Sequence, residues 1–172
     1  MGLARAAEPL PPPAAGPGPA EAAVPPHADR RIAGVARYWA GLACDARLPG
    51  RADIDPVDIP RLLRHVFLVD VRASVPRYVF RLVGTGVVDL LGELTGRAVG
   101  TGLDADEADR VLAHFDRCAG EGRPVWREGV LRTRRNRHAG FQRVLLPLAS
   151  DGRRVDMVLG ALVGFDWDGR PL

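Results

Sequence analysis

The sequence predicts an α+β fold built on one antiparallel sheet of five strands. Three observations carry this. Two short apolar strands come first, then helices, then three further strands. Turn signals join the strands within each group: Ser74-Val75-Pro76 between the first two and Ser150-Asp151-Gly152 between the last two. The last strand is the most apolar, as a central strand should be.

Order is expected to begin at Asp29, a good helix N-cap. Ile32, Val35, Ala36, Trp39 and Ala43 then share one helical stripe, which predicts an amphipathic helix over 29–46, ending near Leu48-Pro49. Asp55-Pro56 and Ile59-Pro60 predict turns and a short helical segment through Leu63. Val66 to Ala73 alternates as a first strand, and Tyr78 to Gly84 as a second with Tyr78, Phe80 and Leu82 on one face. Gly84-Thr85-Gly86 opens a short helix carrying Val87, Val88, Leu90 and Leu91. Asp104, with Glu107 three residues on, starts a longer helix with the stripe Ala108, Val111, Leu112, Phe115 and Ala119, closed by Gly120 and Gly122. Pro124 to Thr133, Phe141 to Ala149 and Arg154 to Phe165 read as strands three to five, with a loop over Arg134 to Gly140.

The length of 172 residues suits one domain plus a tail. Residues 1–28 are rich in Pro and Ala and cannot bury enough apolar surface to offset the entropy of ordering, so a disordered tail is expected there. The remaining boundaries are 29–46 for the first helix, 47–166 for the main domain and 167–172 for a C-terminal tail. All 24 basic side chains are Arg, yet the net charge is only +3 because acids are interleaved. A one-sided basic face, the mark of a nucleic-acid binder, is not evident. No stretch approaches the roughly 18 apolar residues of a membrane span, and 1–28 lacks the apolar run of an export signal. With two separated cysteines, Cys44 and Cys118, both set in helical patterns, a reduced cytoplasmic protein is expected.

Several segments resemble a known family. These are Leu48-Pro49, Asp53-Ile54-Asp55-Pro56, Ile59-Pro60, Phe67-Leu68-Val69-Asp70-Val71, Phe80-Arg81-Leu82-Val83-Gly84-Thr85 and Leu94-Thr95-Gly96-Arg97. Gly122-Arg123-Pro124-Val125, Arg143 to Leu148 and Val155 to Ala161 continue the series in order. Over about residues 35–165 the chain resembles a compact PAS domain of the alphaproteobacterial kind. The resemblance implies that the first and last strands are central neighbours. It also implies a sensory or regulatory module of bacterial signal transduction, standing alone and acting through protein–protein interaction, with or without a ligand. The helix before the core often makes a dimer in such proteins, so Ile32, Val35 and Trp39 are the relay candidates. They would serve a homodimer contact or cover the outer face of the sheet.

A small apolar ligand would lie between helices and sheet, and the candidate lining is Phe80, Leu91, Phe115, Trp126, Val144 and Leu146. Arg143 would anchor a carboxylate if it points inward; a filled core is the simpler reading of the same residues. The cofactor stays unknown. Haem through His114 is the option the family offers, and it needs a large apolar cavity beside that ring. A flavin photosensor of the family needs a reactive cysteine in an Asn- and Gln-flanked helix, a setting that neither Cys44 nor Cys118 has.

Other chemistries find less support. His27, His65, His114 and His138 have no metal-site spacing. Gly84-Thr85-Gly86 places Asp89 where a dinucleotide loop needs its third glycine, so a tight turn with close backbone approach is expected instead. Ser74 and Ser150 lack the glycine elbow of a hydrolase, and no nucleophile–base pair is visible. The chain is therefore expected not to be an enzyme. Two alternatives stay open. One is an enzyme or small-molecule carrier on a cone-like α+β fold. The other is nucleic-acid binding through the basic run Arg132, Arg134, Arg135 and Arg137.

Overall fold

The computed structural model describes residues 24–43 and 47–172. Its elements are α1 (Arg30–Leu42), β1 (Val66–Val71), β2 (Tyr78–Val83), α2 (Thr85–Leu91), α3 (Ala105–Glu121), β3 (Val125–Arg132), β4 (His138–Leu148) and β5 (Met157–Phe165). Three 3-10 turns, Arg51–Asp53, Pro56–Asp58 and Leu63–His65, bridge α1 and β1. The five strands form one sheet in the order β2-β1-β5-β4-β3, with every neighbouring pair antiparallel. The α+β class, the strand number and the central β1–β5 pairing are those expected.

Local signals set most boundaries. Asp29 caps α1, its carboxylate accepting from the Arg31 N–H at 2.9 Å. Asp104 caps α3 by accepting from the Glu107 N–H at 2.8 Å, and Gly122 closes that helix in the left-handed region at φ 62°. Three bounds differ from expectation by three residues or more. Helix α1 ends at Leu42, before the Pro49 signal. Strand β4 starts at His138 rather than Phe141, because the connection to β3 is a tight turn with Asn136 at φ 58°. Strand β5 starts at Met157, because the Asp151 carboxylate holds the N–H groups of Arg153 and Arg154 in a turn.

Residues 24–28, assigned by composition to the tail, lie against β3: the His27 ring meets Trp126 edge-on at 6.3 Å and faces Glu128. Residues 1–23 of that expected tail, and Cys44, lie outside the described residues. At the other end, Leu172 N–H donates to the Gly164 carbonyl at 2.9 Å, folding the terminal residues back on β5.

Two contacts fix the faces of the sheet. Gln142 Oε1 accepts from the N–H of Asp29 at the start of α1, whereas its neighbour Arg143 reaches His114 of α3. Alternation then assigns Gln142, Val144, Leu146 and Leu148 to the α1 face, and Phe141, Arg143 and Leu145 to the face covered by α2 and α3. Ile32, Val35 and Trp39 are fully buried beneath α1. Each such burial contributes about 1.5–3 kcal/mol. The Trp39 indole N–H is satisfied as well, donating to the Pro147 carbonyl at 2.9 Å.

On the opposite face two glycines of β5 make room for large side chains. A Cβ on Gly160 would collide with the Phe67 ring, and one on Gly164 would fall 2.8 Å from Leu90 Cδ1. Gly84 is a third close approach. A Cβ there would stand 2.7 Å from the Arg64 carbonyl oxygen, which is the tight turn expected of Gly84-Thr85-Gly86.

Gly160→Ala should therefore destabilise the fold by about 1–3 kcal/mol, the cost of overpacking a close-packed core. Gly41→Ala, on the exposed side of α1 with open space around it, should be neutral or stabilising by up to about 1 kcal/mol. Urea titration of both variants checks this; equal midpoints would show that Phe67 packing does not depend on Gly160.

Candidate functional site

The residues expected to line one pocket divide between the two faces. Phe80, Phe115 and Arg143 lie on the helix-covered face: Phe80 packs edge-on against Phe67 at 5.7 Å, and the Arg143 guanidinium carbon lies 5.8 Å from the centre of the Phe115 ring. Leu91, at the end of α2, is half-buried against the core. Trp126, Val144 and Leu146 point the other way. Trp126 pairs with Val144 in the β3–β4 ladder, and both share the α1 face with Leu146. They belong to the packing under α1, because a strand sends neighbouring side chains to opposite faces and the sequence does not say which is which. The relay candidates Ile32, Val35 and Trp39 are committed to covering the sheet, so a homodimer contact through them requires α1 to leave it.

Arg143 is the centre of a polar cluster. Its side chain runs from β4 toward α3, and its Nη2 lies 2.8 Å from His114 Nδ1. Arg127, directly opposite Arg143 in the β3–β4 pairing, places its Nε 2.8 Å from Nε2 of the same ring. Burial pushes the His114 imidazole down to about 4, with Arg143, Arg127 and Arg117 adding repulsion. Burial, with Arg127 nearby, lowers Arg143 to about 10. The buried Nε of Arg143 has no hydrogen-bond partner. Beside this cluster Tyr78 donates its hydroxyl to Asp116, and burial of the phenol raises its pKa. Cys118 is fully buried, which pushes its thiol up and holds it protonated.

The cluster was half legible. The sequence marks Arg143 as an anchor and His114 as a candidate ligand on a helix, whereas Arg127 carries no signal of its own. Locating the β3–β4 turn at residues 133–137 pairs Arg127 with Arg143 by strand register alone.

Away from this cluster, a cleft of about 400 Å³ opens at the hairpin end of the sheet. Leu90, Leu162 and Gly164 form its apolar floor, and Arg135, Arg137 and Trp167 stand at its rim. The basic run thus gains an aromatic neighbour from the distant C-terminus. His65, the buried histidine, also lines this cleft, and burial lowers its pKa.

Neither haem nor flavin fits the helix-covered face. Both nitrogens of His114 face guanidinium groups rather than an apolar cavity. Phe67 fills the space over Gly160, Leu90 fills that over Gly164, and the thiol of Cys118 is sealed in the core. Among the described residues no group of three or more His, Cys, Asp or Glu side chains is placed to hold a metal ion. No helix among them is long and apolar enough to cross a membrane.

Between pH 6.5 and about 4 the unfolded chain takes up a proton at His114 that the folded chain refuses, so stability falls as the pH drops through that window. His114→Gln should make this fall shallower, measured by urea titration across the window; an identical slope would show that the folded imidazole titrates normally. Arg143→Met removes an unpaired cation from a largely buried place and should leave stability unchanged or raised by up to about 2 kcal/mol. Thermal or urea unfolding tests this, and a clear loss would mean that Arg143 is already well satisfied.

A family model described as a PAS domain matches residues 28–163. No curated protein matches the chain. Solved structures similar to it include a light-oxygen-voltage domain studied with a flavin analogue, at 15% identity and a TM-score of 0.48 over 65% of this chain and 84% of that one. The light-state LOV domain of the blue-light photoreceptor aureochrome is 13% identical, with a TM-score of 0.47 over 64% of this chain and 88% of that one. An RNA-binding light-oxygen-voltage receptor is 24% identical, with a TM-score of 0.42 over 58% of this chain and 28% of that one. The matched span takes in every helix and strand described above except the last two residues of β5, and on that ground the chain belongs to the PAS-domain family, whose members are generally sensory modules of signal transduction.

Proposed function

We propose that this chain is a non-catalytic sensory domain that passes its state to a partner protein through α1. One observation carries the reading. Gln142 and Arg143 are consecutive on β4 and face opposite sides of the sheet. Arg143 belongs to the polar cluster on α3, while Gln142 accepts the 2.7 Å hydrogen bond from the Asp29 N–H at the start of α1. A change in the packing around Arg143 therefore reaches the anchor of α1 across a single peptide unit.

The mechanism is a population shift between α1 docked on the sheet and α1 released. Docked, α1 buries Ile32, Val35 and Trp39. Released, it frees an apolar stripe on the helix and an apolar sheet face bearing Val144, Leu146 and Leu148, surfaces suited to a partner protein or to a second copy of the chain. The docked state is held by side-chain packing and a few polar contacts, whereas β5 is held by two full ladders. Elements of that kind open below the global unfolding energy.

Hydrogen exchange tests this. In the wild-type chain the amides of residues 30–42 should exchange faster than those of β5. Gln142→Ala should speed α1 exchange by about 2- to 12-fold, the equivalent of one neutral hydrogen bond, and leave β5 unchanged. Equal protection of α1 and β5 in both proteins would show that α1 is not a separately mobile element, and the relay would fail.

A further inference from the structure

We propose that the polar cluster between α3 and the β3–β4 edge of the sheet binds a small-molecule carboxylate with an apolar body, its oxygens held by the guanidinium groups of Arg143 and Arg127 and by an N–H of His114.

The donors and acceptors of this cluster do not balance. A neutral imidazole has one N–H and one lone pair. Here both of its nitrogens face guanidinium nitrogens at 2.8 Å, and a guanidinium group only donates. One of the two contacts therefore sets donor against donor. The Nε of Arg143 is buried without a partner as well. A carboxylate placed among the three side chains supplies the missing lone pairs and the missing negative charge.

The protein does not supply that charge itself. Among the described residues neither Arg127 nor Arg143 has a carboxylate within 4 Å; most other arginines without one are exposed to solvent, whereas Arg143 is half-buried. The charged groups facing His114 are Arg117, Arg127 and Arg143. The nearby acids are engaged elsewhere: Asp116 with Tyr78 and Arg77, and Glu121 with Arg117. Unpaired cations at a partly buried position cost stability, and a protein that keeps them gains something other than stability from them.

The surroundings indicate the rest of the ligand. Strand β3 is an edge strand and Arg127 is exposed, so the cluster is reachable from solvent. Beyond the two arginines on the same face come Gly129 opposite Phe141, then Leu131 opposite Ala139. Gly129 presents no side chain, and Phe141 and Leu131 are only half-buried. A charged end at Arg127 and Arg143 therefore continues into an apolar floor, which suits a carboxylate with a hydrocarbon body. Two guanidinium planes form paired hydrogen bonds with the two coplanar oxygens of such a group. Binding at this cluster is read from the His114 resonances and release of α1 from hydrogen exchange, so the failure of either reading is distinguishable from the failure of the other.

The test titrates octanoate, acetate and inorganic phosphate into the full chain, followed by the His114 imidazole resonances, assigned with His114→Gln. Octanoate should saturate the site at millimolar concentration or below and bind at least about tenfold more tightly than acetate. The bound anion should move the His114 titration upward from about 4. Arg127→Gln, an exposed change that leaves the core alone, should weaken octanoate about tenfold, and Arg143→Met should weaken it by about 10- to 100-fold, as loss of a charged hydrogen bond does. Unchanged resonance dispersion shows that each variant is folded. No saturable shift with octanoate up to roughly 10 mM would overturn the site. So would octanoate binding that survives both arginine substitutions, and phosphate binding more tightly than octanoate would overturn the carboxylate class.

Discussion

Both faces of β5 are covered, and the rest of the fold follows from that constraint. Eight of its nine residues, Met157 to Gly164, are buried. A strand with no access to water must satisfy its backbone groups on both edges, and β1 and β4 do so with antiparallel ladders. Covering both faces takes α1 on one side and α2 with α3 on the other. It also takes small residues where large neighbours press in, which is why glycine stands at positions 160 and 164, under Phe67 and Leu90.

Among the described residues, this packing fails to balance at the cluster of Arg143, Arg127 and His114. Elsewhere polar groups are paired in ordinary ways: caps at Asp29 and Asp104, an indole on a carbonyl at Trp39, a phenol on a carboxylate at Tyr78. Around His114 three donors converge and no acid answers them. Sites at which local chemistry departs from what stability favours are where function is expected.

The strand period gives this departure its reach. Because neighbouring side chains on a strand face opposite sides, β4 touches α3 through Arg143 and α1 through Gln142 with no residue between them. The sheet is thin enough that what happens on its helix face is one peptide from what holds the helix on its outer face. The relay proposed above rests on this geometry and not on the identity of the signal.

The sequence alone determined the class, the order of elements and most of their ends. Asp29, Asp104 and Gly122 act through their own neighbours, and so do the alternating residues of β1, whereas an irregularity in the β1–β2 ladder pairs Leu82 with Leu68, off the face of Tyr78 and Phe80; local effects are written into a few consecutive residues. The turn between β3 and β4 was less legible, because its arginines concealed a tight connection and the strand residues His138 to Gly140. The tertiary structure decided which face of each strand met which helix. Trp126, Val144 and Leu146 thus moved from the expected pocket to the underside of α1, and Arg127 joined Arg143 and His114. A period of two says that neighbours part company but not which of them turns inward, and that choice is made only when the helices dock.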